Sequence, residues 1–522
     1  MYKNSSMRYL YSFLSLLIIV FASSCRKDFS TSLSKGNLKF STDTVFVGKV
    51  FDNISSSTHR FTVKNPSNKD IRIPQISLEK GNTSFYRLNV DGVSGKSFEN
   101  IEILAKDSIF VFVETTIPFN EITDPDFMYR DKVLFYNDSN QQKVELEAQV
   151  VDVHLIRPNR TQIADGFAYE EIILGQDADG NDITIRGTNL TDDTTFTNDK
   201  PWLIYNYVGV PNGKTLTIDA GTQIHFHANS GIIVQDGGKL IVNGTLDNKV
   251  IFQGDRLEEV YQDISGQWGT IWLFSGSKEN SIQHAKILNA TLGLLVDSNN
   301  DISEQTLLLN NTEIYNTTSY GLLARNAKIE TNNTVIGNNG ASSFATILGG
   351  NYDFTHVTLA NYWRSSNRQE ATLSLSNALQ ISETEFLVSD LQANFTNCII
   401  SGSQNMELHY DKLDGANFNF KFTNCMLKFE DATNQFIDDP LFDFNNTTLY
   451  QNVLLNKNPD FKNTNPFEDF VDFRIGENSD AINQADSSII LLKPILQTDL
   501  VGTDRLPNPD IGAYQHIVFE ED

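Results

Sequence analysis

A chain of 522 residues has room for two or three domains, and 40% hydrophobic with 20% charged residues is a globular balance, not a disordered one. The formal net charge of -26 repels phosphate backbones and anionic bilayer surfaces, so nucleic acid is excluded as a partner, and the charge suits the solubility of an exported protein. Thirty-five Phe among many Asn, Thr and Gly, with no long helical-period runs, predict strands and turns.

Residues 1–24 read as a signal peptide. Lys3 and Arg8 form a basic start, Leu10 to Phe21 an apolar run of twelve residues, too short to span a bilayer, and Ala22, Ser23 and Ser24 lead to Cys25. Ala-Ser-Ser-Cys resembles a bacterial lipobox, which implies cleavage before Cys25, lipidation there and attachment to a membrane through the acyl chains. Arg26-Lys27-Asp28 resembles the lipoprotein export signal of Bacteroidetes, which implies an outer-membrane lipoprotein that can be surface-exposed. Residues 25–33 serve as its tether.

Residues 34–155 predict a β-sandwich, from short alternating runs such as Arg60 to Val63, Ile71 to Ile73, Ser108 to Val113 and Val144 to Ala148. Their order resembles the Ig-like domains that precede β-helices in Bacteroidetes surface lipoproteins. Residues 156–213 read as a linker and N-terminal cap containing a hairpin from Tyr169 to Ile185. Its acidic turn, Asp177 to Asp182, has Gly at the fourth place where an EF-hand loop has it at the sixth, so an Asp-Gly turn fits better than a calcium loop.

From Lys214 the pattern becomes a coil. Apolar triplets begin at Leu216, Ile224, Ile232, Leu240 and Val250; the first recurs after 24 residues and the second after 26. A three-residue strand spans only about 10 Å and cannot bury its own apolar side, so laps must stack into a parallel solenoid over residues 214–458. Gln253 to Gln267 interrupts the second lap, and Asp255, Arg256, Glu258, Glu259, Tyr261 and Asp263 make it the candidate ligand-binding insertion.

Octets then mark the laps: IQHAKILN, LNNTEIYN, TNNTVIGN, FTHVTLAN, FTNCIISG and FTNCMLKF, starting at Ile282 and spaced by 27, 22, 23, 41 and 27 residues. The spacing of 41 reads as two laps. First and sixth positions are mostly apolar, an odd separation that requires a bend between them. The third position, His284, Asn311, Asn333, His356, Asn397 and Asn424, supplies residues suited to a left-handed corner and to a polar ladder of stacked side chains, so these histidines are structural and not metal ligands or bases. At the fourth position Cys398 and Cys425 point inward. Stacked rungs lie about 4.8 Å apart, which admits either a disulfide or two buried thiols.

His225 and His227 alternate with Ile224 and Phe226 and should face outward; with no third ligand they predict no metal site, and no cofactor motif appears elsewhere. Trp268, Trp272 and Trp363 suit a core edge better than a sugar platform. Residues 459–522 lose the lap spacing and end in Arg505 … Pro509-Asp510-Ile511-Gly512-Ala513-Tyr514. That segment resembles the one that closes the last coil of bacterial right-handed parallel β-helix proteins with a choice-of-anchor Q-type terminus. The fold class is therefore all-β: an Ig-like sandwich, a right-handed parallel β-helix and a C-terminal cap. The resemblance implies location and shape, since this fold hosts many activities. The expected function is a lipid-anchored, non-enzymatic envelope or surface protein binding glycan or another envelope protein along its flank. The alternative is a polysaccharide lyase or glycoside hydrolase acting on an acidic polysaccharide.

Overall fold

The computed structural model describes residues 31–137, 140–298, 303–468 and 470–520; the expected signal peptide and Cys25 lie outside them. The chain is almost wholly β, and among the described residues its one α-helix is the six-residue Ser487–Leu492. It divides into two compact units, one ending at Asp152 and one beginning at Val153.

In the first unit, period-two alternation builds two facing sheets. Ser108–Thr115 sends Ile109, Val111 and Val113 inward and Phe110 outward, and pairs antiparallel with His59–Lys64 and Tyr86–Val90. Met128–Tyr136 pairs antiparallel with Gln141–Val151 and Ile71–Leu78 in the second sheet. One core joins them: Phe61, Val63 and Val111 from the first sheet meet Ile73, Val133, Phe135 and Leu146 from the second, the arrangement of a β-sandwich.

The second unit is a parallel β-helix. One all-parallel sheet of eleven rungs runs from His154–Ile156 through Trp202–Ile204, Gln223–Phe226, Val250–Gly254, Ala285–Leu288 and Glu313–Tyr315 to Leu454–Leu455. Two further parallel stacks form the other sides. One takes in Gly231–Val234, Ile271–Leu273 and Leu294–Asp297, and the other Lys239–Asn243, Asn280–Gln283 and Leu307–Asn310. Inward side chains from all three sides fill one column that includes Ile224, Phe252, Ile287, Ile314, Phe354 and Phe422. Parallel pairing thus starts at His154, N-terminal of Lys214. The stretch 156–213 contributes rungs as well as two hairpins, Arg160–Ile163 with Gly166–Tyr169 and Glu171–Gln176 with Asp182–Asn189. In the turn of the second hairpin Asp177 Oδ1 accepts from the amides of Asp179 and Asn181 at 2.9 and 2.8 Å, tying the turn to itself.

Two expectations are corrected. The 41-residue octet spacing is one lap: Thr358–Asn361 pairs directly with Ile399–Gly402, and the surplus includes a hairpin of Ala378–Gln380 with Phe386–Val388. Residues added at a corner lengthen a lap without adding a rung, which spacing alone cannot distinguish. The C-terminal segment does not close the last coil. It lies along the outside of the eleven-stranded sheet, where Val471, Phe473, Leu500, Ala513 and Tyr514 pack on Tyr315, Val335 and Ala360, and Ile475, Ala481 and Ile511 pack on Ile399 and Met426. The last laps end instead on rings from Phe429, Phe442 and Tyr450.

The Asn/His corners explain both the turn and the latch. All six third-position residues lie in the left-handed region, with φ from 47° to 56°. Asn311 Nδ2 donates to His284 Nε2 at 3.1 Å and Asn397 Nδ2 to His356 Nε2 at 2.9 Å. The ladder breaks at Asn333, whose amide turns outward to donate to the carbonyls of Ile495 and Thr498 and accepts from buried Arg505 at 2.9 Å. Burial pushes the Arg505 pKa down to about 10. Cys398 and Cys425 are buried free thiols on adjacent rungs, the Cys398 amide donating to Cys425 Sγ at 3.4 Å.

Candidate functional site

The eleven-stranded sheet is covered by the C-terminal segment over its later rungs and left open over its middle ones. There lies a cavity of about 710 Å³. Its floor is the outer side of three successive rungs: Lys249 and Gln253, Lys286 and Leu288, Glu313 and Tyr315. Alternation fixes these directions, because Phe252, Ile287 and Ile314 between them point into the core. One wall is the insertion, through Arg256, Leu257, Tyr261, Gln262, Asp263 and Gln267. The other is the C-terminal segment, through Phe470, Val471, Asp472, Arg474, Val501 and Tyr514.

The insertion is held in place by a second polar stack that the octets carry at their eighth position. Asn289, Asn316 and Asn338 are also left-handed corners, with φ of 62°, 60° and 55°. Asn316 Nδ2 donates to Asn289 Oδ1 at 2.6 Å and to the Asp263 carbonyl at 2.8 Å, and Asn289 Nδ2 donates to the Gln262 carbonyl at 2.6 Å. Gln267 Nε2 closes the loop on the carbonyls of Tyr261 and Ile264, at 2.6 and 2.7 Å. Repeat architecture therefore becomes a cavity wall.

The cations inside the cavity are each paired with a carboxylate. Glu313 takes ion pairs from Lys249 Nζ at 2.9 Å and Lys286 Nζ at 3.4 Å, with its own side chain only 9% exposed. Tyr514 Oη donates to Glu313 Oε1 at 3.5 Å, and Tyr315 lines the same cavity. Burial first, then the Glu313 carboxylate, pushes the Tyr315 phenol well above its ordinary range; burial and the neighbouring Tyr315 and Glu313 do the same to Tyr514, so both keep their protons. Asp472 is gripped by Arg474 through Nε, at 2.9 and 3.0 Å, and through Nη2. Arg256 forks onto Glu258 at 2.9 and 3.1 Å and lies 3.7 Å from the Tyr261 ring centre. The site offers phenols, amides, ammonium groups and carboxylates beside aromatic rings, a set suited to a ligand with many hydroxyls and apolar faces.

Of the residues singled out in the insertion, Arg256, Tyr261 and Asp263 line the cavity. Glu258 turns onto Arg256, Glu259 is exposed, and Asp255 Oδ2 accepts from His227 Nδ1 at 2.7 Å. His227 stacks on Tyr205 with ring centres 4.2 Å apart, and its hydrogen bond to Asp255 raises its pKa. His225 corrects its expectation: it leaves the outer side of the strand yet is 3% exposed, with Nδ1 donating to the Gly254 carbonyl at 3.1 Å on the next rung. Burial holds it below the ordinary histidine range. None of the three tryptophans named above lines the cavity. Trp268 is in the core, stacked on Phe226; Trp363 is buried; Trp272 donates to Asp297 at 2.8 Å. The residues missed from sequence are Lys249, Lys286, Glu313 and Tyr315 on the floor and Asp472, Arg474 and Tyr514 opposite.

Residues 188–303 match a family model described as a pectate-lyase like beta helix domain, in keeping with the parallel rungs seen there. Among solved structures the chain is similar to the catalytic unit of a thermostable GH87 alpha-1,3-glucanase from Streptomyces thermodiastaticus strain HF3-3. The identity is 11%, over 70% of this chain and 79% of that one, with a TM-score of 0.25. It is also similar to a family 123 glycoside hydrolase from Clostridium perfringens, at 7% identity with a TM-score of 0.16; that alignment spans 22% of this chain and only 25% of the enzyme. No curated protein matches the chain.

Proposed function

We propose that this parallel β-helix protein is a lipid-anchored envelope protein of the Bacteroidetes type that binds a glycan, without cleaving it, in the cavity between the insertion and the C-terminal segment. The observation that carries the reading is the cavity itself: about 710 Å³, floored by three rungs of a rigid sheet, with the Tyr261, Tyr315 and Phe470 rings beside paired charges. Two of its three carboxylates, Glu313 and Asp472, are committed to cations, an arrangement suited to holding hydroxyls and not to donating a proton to a leaving group. The anchor rests on Cys25 and the residues around it, and the outer membrane is the proposed location. The test is titration calorimetry of the mature chain against an oligosaccharide panel. At least one member should bind, and Tyr261→Ala should weaken it about tenfold, the loss of one ring contact. Failure of every sugar to bind would sink the reading. For the anchor, Cys25→Ala should move the protein from the membrane fraction to the soluble one.

A second reading has one observation in its favour. The His227–Asp255 pair, with an imidazole half exposed beside the cavity residues Gly254 and Arg256, has the form of an oriented base. Release of reducing ends or of unsaturated uronate from a polysaccharide, lost in His227→Ala, would establish an enzyme instead.

A further inference from the structure

We infer that the cavity selects a neutral glycan over an acidic one. The inference rests on reading the cavity as a glycan site and concerns which class of glycan it accepts. Among the described residues the cavity is lined by four cationic side chains, Lys249, Arg256, Lys286 and Arg474. Each already meets a carboxylate of the protein: Lys249 and Lys286 share Glu313, Arg474 holds Asp472, and Arg256 holds Glu258. Asp263 also lines the cavity, so four cations and three carboxylates line it, with Glu258 bound to Arg256 just outside the lining.

A uronate or sulfate group entering this cavity meets cations that each already hold a protein carboxylate. To take one over for itself it must displace Glu313, which is 9% exposed and held by two ammonium groups and a phenol, or Asp472, which is held by a guanidinium fork. Either displacement leaves a protein carboxylate beside the incoming anion, and like charges at such distances repel strongly where water is scarce. A hydroxyl meets the opposite situation. Each carboxylate oxygen keeps lone pairs that accept from it, and each lysine keeps N–H groups that donate to it, so a neutral sugar adds hydrogen bonds without breaking an ion pair. The formal charge of -26 on the whole chain works in the same direction at longer range.

The experiment uses the full mature chain and titration calorimetry at low and high salt. The neutral probes are gluco-, xylo-, manno- and galacto-oligosaccharides; the acidic ones are oligogalacturonate and oligoalginate of matched length. The expected result is binding confined to a neutral probe, with an affinity that changes less than about twofold with salt, because no net charge is neutralised. Uronate binding that weakens steeply with salt, without neutral binding, overturns the inference and leaves the glycan reading intact; silence from every probe overturns both. Glu313→Gln provides an independent arm by releasing Lys249 and Lys286: oligogalacturonate binding should appear, rise at least about tenfold above wild type and fall with salt. Asp472→Asn makes the same release at Arg474 and serves where Glu313→Gln fails to fold. A folded variant of either kind that stays blind to oligogalacturonate overturns the inference.

Discussion

The octet laps of the solenoid turn on residues in the left-handed region, and the side chain at each such corner decides what the turn costs. Ala there takes up strain of about 1–2 kcal/mol, which Gly avoids. Asn311 combines φ of 47° with the amide bond to His284. Asn311→Ala should therefore destabilise by about 2–3 kcal/mol, and Asn311→Gly by about 1 kcal/mol, the hydrogen bond alone, as read by denaturant unfolding. His356 shows the same logic with a proton in it. Its Nδ1 faces the Gly512 carbonyl at 3.1 Å, so Nδ1 carries the hydrogen and Nε2 is left to accept from Asn397. Burial, and then the Arg505 charge, holds its pKa well below the ordinary value of 6.5. A histidine depressed in the fold contributes its full stability above the unfolded value and loses it as pH falls below about 6.5, where the unfolded chain gains a proton that the folded chain refuses. His225 and His284 are depressed as well and add to this loss in acid, while His227, raised by its bond to Asp255, works against it. His356→Asn keeps a corner residue and removes one such group. Its unfolding free energy should fall less than that of wild type between about pH 7 and about pH 5, by on the order of 1–2 kcal/mol.

At the level of rungs, the outward fifth position of the octets reads Lys286, Glu313, Val335, Thr358, Ile399 and Met426. The first two are charged and floor the cavity; Val335, Ile399 and Met426 are apolar and lie under the C-terminal segment, whose Ala513 amide donates to Thr358 Oγ1 at 3.0 Å. The neighbouring outward position becomes Gly337 where that cover comes closest: a Cβ there would sit 2.3 Å from the Phe473 ring and 2.4 Å from the Ala360 carbonyl. Gly337→Ala should lift the segment, cost about 1–3 kcal/mol and open residues 460–520 to limited proteolysis. Unchanged cleavage there would count against flush packing. Much of this was legible in the sequence. The apolar first and sixth positions gave the core, the third gave the corners, and the acidic and aromatic insertion pointed to one cavity wall. The eighth-position asparagines stand in the same octets, and the change from charged to apolar at the fifth position marks where an outer cover begins. What covers it was not legible, because Phe473 and Ile511 lie far along the chain from the rungs they touch and carry no periodicity of their own. The floor was invisible for the same reason: Lys286 and Glu313 become a site only once two distant segments stand on either side of them.

At the scale of the whole molecule, the core inside the sandwich and the column down the β-helix have no residue in common, and smaller clusters lie under the C-terminal segment. The second unit is fastened along its flank by a segment that is fixed where Arg505 bonds Asn333 and Gly512 bonds His356. The cavity lies at one margin of that fastening, and its walls are drawn from 256–267 and 470–514. A ligand that touches both walls acts as a reversible cross-link between stretches some two hundred residues apart in the chain. By thermodynamic linkage it would secure the terminal strap by roughly 2.7 kcal/mol at a hundredfold excess over its Kd. Amide exchange in residues 470–475 and 511–514 should slow on saturation, while exchange in the sandwich strands stays unchanged. Occupancy of the cavity would then be readable from the C-terminal segment, as slower fraying of the stretch that residues 511–514 hold against the sheet.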